Sequence, residues 1–363
     1  MQLCKAGMVT GLIAILLVWG TRAEEVDDLI KGQMHAHHVP GVACLVWKDG
    51  QIVKAYYGGY ANLEWNAPVG PDTIFEIGSI SKQFAAASIL LLAEQGRLSV
   101  DDNVSKYLTN TPPAWANIKI RHLLAHTSGI HSYDDMDGFE LRQHLTQAQF
   151  ISRLARHSPD FQPGEKWVYC NAGFNLLGYI VENVSGEDYL SFLREHIFTP
   201  LEMTNTAMRD PIQLIPHRAA GYVFEHGKYS NRDYDLTDFF SAGSVVSNVS
   251  DLAKWDEALL GGRLLNQSSK ELWWTPARLN NGHVVPVSRD GSRTYGFGWF
   301  LQTLDGHKNI GHTGITSGFS AANELYPDDH VFVIVLSNTD EGGFAGQLAE
   351  KVAHVYFEQR LKR

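Results

Sequence analysis

Ser79 and Lys82 form the pattern Ser-x-x-Lys within the segment Gly78-Ser79-Ile80-Ser81-Lys82. Residues three apart lie on one face of a helix, so the Lys82 amine would reach the Ser79 hydroxyl. A neutral lysine can accept the serine proton when burial or a nearby positive charge lowers its pKa. The N-terminus of the helix adds positive potential where an oxyanion would form. The pattern predicts Ser79 as the nucleophile of a hydrolase that works through an acyl-enzyme.

A second candidate element is Tyr169-Cys170-Asn171. A tyrosine can serve as a general acid or base, and an asparagine can bind a substrate carbonyl. The strings Tyr60-Ala61-Asn62 and Tyr229-Ser230-Asn231 have the same pattern. Context favours Tyr169 and Asn171, because they lead directly into a helical segment. We interpret Cys170 as a packing residue.

The third element is His312-Thr313-Gly314, at the end of a predicted strand. Gly314 permits close backbone approach by a ligand, and His312 and Thr313 are candidates to hold a substrate carboxylate. The backbone amide of Ile315 is a candidate second oxyanion donor. A histidine is largely neutral at about pH 7, so it would hold a carboxylate more weakly than a lysine and in a pH-dependent way.

The nucleophile must be positioned by the helix predicted over about 79–94. Its residues 84–93 are apolar nearly all round, which indicates a helix buried on every side. Residues 24–38 predict an amphipathic helix. Residues 42–57 predict a strand hairpin, with its turn at Lys48-Asp49-Gly50-Gln51.

Strand patterns return near the C-terminus, at 295–303, 309–313, 319–325 and 331–337, before a closing helix over 344–361. Helical patterns fill the middle of the chain, at 118–125, 143–155, 175–184, 189–196 and 249–260. The economical fold class is α/β, of the α+β type: an antiparallel sheet from both chain ends, flanked by helices, with an inserted helical lobe. The expected boundaries are about 24–78 and 286–363 for the sheet lobe and about 79–285 for the helical lobe.

The composition is that of a globular enzyme, with 363 residues of which 44% are hydrophobic and 19% are charged. The net charge is −10, and without Lys5 and Arg22 it becomes −12, from 28 basic and 40 acidic residues. The chain has no lysine or arginine cluster, so we expect no nucleic-acid partner. A small molecule or a peptide is the expected substrate.

The N-terminus has the pattern of a cleavable signal peptide over residues 1–23. Lys5 precedes the apolar stretch 6–20, and Thr21-Arg22-Ala23 offers small residues for a cut after Ala23. The apolar stretch is short for a membrane span of roughly 20 residues, which favours cleavage over an uncleaved anchor. We therefore expect a periplasmic or secreted protein without membrane attachment, with its catalytic domain at 24–363.

Several other classes of site are disfavoured. The chain has no Gly-x-Ser-x-Gly elbow, phosphate loop or dinucleotide fingerprint, so we expect no cofactor. His122 and His126 have a spacing seen in helical zinc sites, but no glutamate follows His122, so a structural role is expected and no metal. Cys44 and Cys170 are expected to be buried free thiols.

Taken in order, Ser-x-x-Lys, Tyr-x-Asn and His-Thr-Gly resemble the serine β-lactamase-like family of class C β-lactamases, D-Ala-D-Ala carboxypeptidases and β-lactamase-like esterases. The resemblance extends from about residue 25 to the C-terminus. It includes connecting segments at 75–79, 122–129, 161–164, 200–203, 241–243 and 295–299. It implies a β-lactamase/transpeptidase-like fold.

The resemblance also implies a role for each motif residue. Ser79 would attack the substrate carbonyl, and Lys82 and Tyr169 would share the proton transfers, with either of them as the base. Asn171 would orient the acyl group, and the amides of Ser79 and Ile315 would hold the oxyanion.

His312 stands where typical β-lactamases carry a lysine, and in this respect the chain is more similar to certain carboxypeptidases and esterases. The expected activity is a serine hydrolase for D-Ala-D-Ala-type peptides, β-lactams or small esters. The alternatives are a carboxylesterase of the β-lactamase-like type and a non-catalytic penicillin-binding or assembly protein with the same fold.

Overall fold

The computed structural model describes residues 22–232, 234–235 and 237–357. Residues 1–21 of the predicted signal peptide and residues 358–361 of the predicted closing helix lie outside the described residues. The helices are α1 (22–36), α2 (Ser81–Glu94), α3 (Ile120–Leu124), α4 (Gln147–Leu154), α5 (Asn171–Ser185), α6 (Tyr189–Leu193), α7 (Phe240–Gly243), α8 (Val249–Leu260), α9 (Gln267–Trp273) and α10 (Phe344–Tyr356). Within the described residues, no helix is both long enough and apolar enough to cross a membrane.

The strands are β1 (Gly41–Lys48), β2 (Gln51–Asn62), β3 (Ala67–Pro68), β4 (Phe75–Glu76), β5 (Ala207–Met208), β6 (Tyr222–Glu225), β7 (Lys228–Asn231), β8 (Val245–Ser247), β9 (Arg293–Tyr295), β10 (Phe300–Leu304), β11 (His307–Thr316), β12 (Phe319–Tyr326) and β13 (Val331–Ser337). Eight of them form one sheet in the order β3-β2-β1-β13-β12-β11-β10-β9. The neighbouring strands are antiparallel.

The two ends of the chain meet in the middle of this sheet, where β1 pairs with β13 and Cys44 lies opposite Val335. Every residue of β13 is buried, because helices cover both faces of the sheet. On one face, α1 and α10 pack Ile30 and Leu348 against the strands. The other face carries the helical part of the molecule. The α+β fold expected from the sequence is therefore confirmed.

Helix α2 is buried on every side, as its apolar residues predicted. Phe84, Ala86 and Leu92 have no exposed surface, and Phe84 packs on Phe198 and Trp255. A helix at the centre of a core is held from all directions, which fixes the side chains at its N-terminus.

The predicted strand over 295–303 is wrong in one respect, because it is divided into β9 and β10 by residues 296–299. Gly298 has a φ of +77° and its amide donates to the Leu124 carbonyl over 3.2 Å. A Cβ atom on Gly298 would lie 2.9 Å from the Lys82 carbonyl oxygen. The chain leaves the sheet here to pack its backbone directly on α2.

The sequence also did not reveal a three-stranded sheet, β4-β8-β5, and a hairpin of β6 and β7. These strands have two to four residues each, which is too short for alternation of polar and apolar residues to be recognised. The small sheet matters for function, because β4 leads directly into the segment that carries Ser79.

Candidate active site

Ser79 lies in a single 3-10 turn, Gly78–Ile80, which connects β4 to α2. Gly78 has a φ of +51°, a left-handed conformation that glycine adopts without strain. Helix α2 begins at Ser81, two residues later than predicted. Ser79 is half-buried at the N-terminal end of this helix, so its side chain lies in the positive potential of the helix dipole.

Lys82 is fully buried, and its amine contacts three oxygen atoms. Nζ lies 2.9 Å from Ser79 Oγ, 2.7 Å from Asn171 Oδ1 and 2.8 Å from the Ala242 carbonyl oxygen. Burial lowers the pKa of Lys82 to about 7, although the negative charge of Asp134 opposes this effect. Burial therefore favours the neutral amine far more than it is favoured in an exposed lysine.

The contacts of Lys82 suit both of its protonation states. The ammonium form has three N–H donors for the three oxygens. The neutral amine has two donors, which Asn171 and Ala242 can accept, and one lone pair, which then points at the Ser79 hydroxyl. In that state Ser79 donates its proton to Lys82, which is the arrangement that general-base catalysis requires.

Tyr169 is close to both residues of the Ser-x-x-Lys pair. Its ring centroid is 4.8 Å from Lys82 Nζ, and its hydroxyl forms a side-chain hydrogen bond with Ser79. Burial raises the pKa of Tyr169 well above its usual value, and the hydrogen bond with Ser79 only partly offsets this rise. Tyr169 therefore stays protonated at neutral pH.

Asn171 is the first residue of α5, which places its side chain beside Lys82. Its Oδ1 accepts from Lys82, and its Nδ2 donates to Asp134 Oδ2 over 3.1 Å. Asp134 also accepts from Ser132 over 2.6 Å and is exposed. Asp134 thus places a carboxylate at the edge of the site, which the sequence motifs did not indicate.

Two glycines bring the predicted oxyanion donors together. A Cβ atom on Gly314 would lie 1.9 Å from the Ile77 carbonyl oxygen and 2.9 Å from the Ser79 nitrogen. A Cβ atom on Gly78 would lie 2.9 Å from the Ile315 nitrogen. Only two residues without side chains allow β11 to approach the nucleophile turn this closely, and the amides of Ser79 and Ile315 become neighbours as a result.

His312 and Thr313 were expected to hold a carboxylate together, but their side chains lie on opposite faces of β11. His312 is buried on the face of the helical lobe, where its ring centroid is 6.3 Å from that of Tyr169. Thr313 lies on the face covered by α10, where a Cβ atom on Gly346 would be 2.9 Å from Thr313 Cγ2. This separation follows from the alternation of side chains along a strand.

A chain of hydrogen bonds joins the Tyr-x-Asn segment to the His-Thr-Gly strand. The Cys170 amide donates to His126 Nδ1 over 3.0 Å, and His126 Nε2 lies 3.2 Å from Tyr295 Oη. Tyr295 Oη lies 3.0 Å from His312 Nε2, and His312 Nδ1 lies 2.6 Å from the Thr313 carbonyl oxygen. The side chains of His126, Tyr295 and His312 are buried.

The two ends of this chain determine the direction of each hydrogen bond, because a backbone amide only donates and a carbonyl only accepts. His126 therefore carries its proton on Nε2 and donates it to Tyr295. Tyr295 donates to His312 Nε2, and His312 donates from Nδ1 to Thr313. Both imidazoles are neutral in this network. Burial also favours the neutral imidazoles, because it lowers the pKa of His312 to about 3 and that of His126 well below its usual value.

The structure thus places Ser79, Lys82, Tyr169 and Asn171 in direct contact or close to one another, beside the Gly314–Ile315 backbone. The further residues that it adds to the site are Ala242, Asp134, His126 and Tyr295. Three of these fall in the connecting segments 122–129, 241–243 and 295–299, so the resemblance held a signal for them without indicating their roles. No comparable signal marked Asp134.

The histidines with helical zinc spacing do not share a ligand site. His122 Nδ1 accepts from the Lys119 amide over 3.1 Å, while both nitrogens of His126 are engaged in the hydrogen-bond chain. Cys44 and Cys170 are buried and free, as expected. Among the described residues, the group whose spacing could hold a metal ion is Glu187, Glu195 and His196, which shares no residue with the site.

Comparisons with known proteins agree with this geometry. A family model described as Beta-lactamase matches residues 26–357. Penicillin-binding protein 4* of Bacillus subtilis is 32% identical over 337 residues, which cover 87% of this chain and 72% of that protein. Members of the family are generally serine hydrolases.

The fold of this chain is also similar to that of solved structures. The octameric penicillin-binding protein homologue from Pyrococcus abyssi has a TM-score of 0.81 and 28% identity, with coverage of 92% of this chain and 76% of the other. A D-stereospecific amidohydrolase from Streptomyces sp. has a TM-score of 0.77 and 26% identity, with coverage of 91% and 97%. From the family match and the shared fold, we conclude that this chain belongs to the beta-lactamase family.

Proposed function

We propose that this protein is a secreted serine hydrolase that forms an acyl-enzyme on Ser79, with D-Ala-D-Ala-type peptides, β-lactams or small esters as substrates. The observation that carries the proposal is the 2.9 Å contact between Lys82 Nζ and Ser79 Oγ, in a site where burial lowers the pKa of Lys82 to about 7. A lysine amine with a lowered pKa beside a serine hydroxyl can act as a general base near neutral pH.

Acylation follows from these contacts. Neutral Lys82 accepts the Ser79 proton while Oγ bonds to the substrate carbonyl carbon. The carbonyl oxygen becomes an oxyanion, which the amides of Ser79 and Ile315 stabilise by about 3–4 kcal/mol per donor, as in other acyl-transfer enzymes. Asn171 orients the acyl group.

Collapse of the tetrahedral intermediate requires a proton on the leaving group. Tyr169 is protonated at neutral pH and hydrogen-bonds with Ser79, so it is placed to deliver that proton. In the proposed sequence, Lys82, which has taken the Ser79 proton, then reprotonates Tyr169. The bond from the acyl carbon to the leaving group then breaks. A water molecule later attacks the acyl carbon. The same two residues take a proton from this water and give a proton to Ser79 Oγ as the bond from Oγ to the acyl carbon breaks. This assigns Lys82 as the base and Tyr169 as the acid of acylation.

The relatives support a substrate with a D-configured acyl group. They include penicillin-binding proteins and a D-stereospecific amidohydrolase. The predicted signal peptide over 1–23, with a cut after Ala23, would deliver the catalytic domain 24–363 to the periplasm or the medium, where peptides of this type occur. This location is part of the proposal.

The test is covalent labelling. Purified protein is incubated with a labelled penicillin or a fluorophosphonate, and the adduct is mapped by mass spectrometry. We expect one adduct, on Ser79, and its loss in Ser79→Ala. Ser88→Ala is a matched control on the same helix, because the Ser88 hydroxyl only bonds the Phe84 carbonyl of its own helix over 2.8 Å.

A substrate panel then compares a chromogenic cephalosporin, a nitrophenyl ester and a D-Ala-D-Ala peptide. We expect ester or peptide turnover to exceed cephalosporin turnover. Turnover of any substrate that is lost in Ser79→Ala would eliminate the non-catalytic alternative. Absence of an adduct from both reagents, or full activity of Ser79→Ala, would refute the proposed function.

A further inference from the structure

We infer that the site selects acyl donors whose leaving group is uncharged, such as amides and neutral esters, over donors whose leaving group carries a carboxylate. Among the substrates proposed above, this favours small esters over D-Ala-D-Ala-type peptides, because the D-alanine that leaves such a peptide carries a carboxylate. His312 is the specificity-determining residue, and Tyr295 and His126 are the positioning residues that hold it in its neutral form. The inference rests on the proposed acyl transfer to Ser79 and concerns the half of the substrate that departs.

His312 has no free donor for a carboxylate. Its Nδ1 proton is directed to the Thr313 carbonyl, and its Nε2 accepts from Tyr295. A proton added to Nε2 would face the Tyr295 hydroxyl proton. Tyr295 could not turn that proton towards His126, because His126 Nε2 is itself a donor, held so by the Cys170 amide on its other nitrogen. The network therefore opposes the charged form of His312.

Within the part of the chain that the structure describes, the cations that act on His312 are Lys82 and Arg293, and both are engaged elsewhere. Lys82 and Arg293 both act on His312 electrostatically, but the Lys82 amine already contacts three oxygens. The Arg293 guanidinium carbon lies 3.8 Å from the ring centroid of Phe300, and that ring packs on His312 with 4.6 Å between centroids. Arg293 also lines a separate cavity of about 270 Å³ under α10, together with Glu324.

Three further side chains beside the described part of the site, those of Thr313, Ile315 and Asp134, supply no positive charge. Thr313 packs on the α10 side of the sheet, and Ile315, next to the oxyanion glycine, is 50% exposed and has no polar atom in its side chain. Asp134 adds a negative charge that acts on both Lys82 and Tyr169. A carboxylate on the leaving group would lose water here without gaining a positive partner.

The experiment uses two esters of N-acetyl-D-alanine that differ in charge only, the 3-carboxyphenyl and the 3-carbamoylphenyl ester. In both, Ser79 Oγ bonds to the acyl carbon and the carbon–oxygen bond to the phenol breaks. Lys82 takes the Ser79 proton, Tyr169 gives its own proton to the phenol oxygen, and Lys82 reprotonates Tyr169. Rates of acylation are divided by the spontaneous hydrolysis rates. We expect kcat/KM for the carbamoyl ester to be larger by about ten-fold or more.

The pH dependence separates this explanation from a general preference for apolar esters. In the wild-type protein, the ratio of the two kcat/KM values should stay constant between about pH 5 and 8, because His312 does not gain a proton there. In Tyr295→Phe, His312 Nε2 loses its hydrogen-bond donor and can take up a proton. The kcat/KM for the carboxyphenyl ester should then rise relative to that for the carbamoylphenyl ester as the pH falls. Tyr189→Phe, which removes a buried hydroxyl in α6, should leave the ratio unchanged.

Each outcome has a distinct meaning. If intact-mass spectra show that both esters acylate Ser79 but the ratio is one or favours the carboxylate, the inference is overturned and the proposed function stands. If Tyr295→Phe lowers both rates equally at every pH, Tyr295 is only structural and its positioning role is refuted. If neither ester acylates Ser79, the proposed function and the inference both fail.

Discussion

The Nζ atom of Lys82 lies 2.8 Å from the carbonyl oxygen of Ala242, a residue 160 positions further along the chain. A backbone carbonyl can only accept, so this contact holds one N–H of the amine in either protonation state. Asn171 Oδ1 holds a second one from the opposite side of the pocket. The lone pair of the neutral amine therefore faces Ser79, and it is oriented by two acceptors that exchange no proton with Lys82.

The first prediction concerns the pH dependence of acylation. Because the pKa of Lys82 is lowered to about 7, the neutral base is present above this pH and is lost as the pH falls through it. The rate of Ser79 acylation by a neutral ester should rise with pH and level off above about 7. Lys82→Ala should lower the plateau by roughly 10²–10⁴-fold. Stopped-flow release of a nitrophenol measures both effects.

Asp134→Asn tests the electrostatic part of this prediction. Asp134 raises the pKa of Lys82, so its neutral replacement should move the midpoint of the profile to lower pH. Asp135→Asn is the matched control, since the neighbouring carboxylate is not among the groups that act on Lys82. An unchanged midpoint in Asp134→Asn, or equal shifts in both variants, would contradict this assignment.

A second prediction separates the acid from the base. Tyr169→Phe keeps the ring beside Lys82 but removes the proton donor for the leaving group. Hydrolysis of a D-amino-acid amide should fall by about 10²-fold or more, because an amine departs only when protonated. Acylation by an activated aryl ester should fall much less. Equal losses with both substrates would show that Tyr169 acts before the leaving group departs.

A third prediction addresses the oxyanion amides. In Gly314→Ala, the added Cβ would lie 1.9 Å from the Ile77 carbonyl oxygen, so β11 must move away from the nucleophile turn. We expect acylation to fall by about 10²–10³-fold, as when one oxyanion donor is lost. Gly342→Ala is the control, because its Cβ would meet no atom within 4 Å. Comparable activity of the two variants would refute this role of Gly314.

A fourth prediction concerns stability. Asp256 is fully buried in α8, where its Oδ1 accepts from Asn323 over 2.9 Å. Burial raises the pKa of Asp256 well above its usual value, so the folded protein holds a proton that the unfolded chain releases. The contribution of this carboxyl to stability is therefore present at low pH and is lost as the pH rises above the unfolded pKa.

Asp256→Asn removes this titration while keeping the shape of the side chain. The free energy of unfolding of the wild-type protein should fall relative to the variant as the pH rises from about 5 to 8, with a slope of at most about 1.4 kcal/mol per pH unit. Urea unfolding at several pH values measures the difference. Parallel curves for the two proteins would show that Asp256 does not hold a proton in the fold.

Part of this molecule could be predicted because it depends on short-range geometry. Ser79 and Lys82 meet because they are three residues apart at the start of a helix. Helix α8 and strand β13 begin and end at the predicted residues, since the distribution of apolar residues along one segment defines both. Gly314 of the His-Thr-Gly motif likewise predicted a close backbone approach, although the sequence did not show which segment would lie against it.

The network around His312 could not be predicted in this way. Tyr295 is 17 residues from His312 and 169 from His126, and the hydrogen bonds between them exist only because the fold packs β9, β11 and the segment after α3 together. The same holds for Ala242 and Asp134. Hydrogen-bond partners from distant segments leave no periodic pattern in a sequence.

The sequence by itself thus determined the family and indicated the candidate nucleophile and its lysine, because these depend on residue types at fixed local spacing. Only the tertiary structure decided the protonation states of Lys82 and His312, because a pKa depends on burial and on which groups lie within hydrogen-bond distance. From the sequence, His312 was expected to bind a carboxylate weakly. In the structure, its two ring nitrogens form hydrogen bonds with Tyr295 and Thr313, and these partners are brought together by the fold.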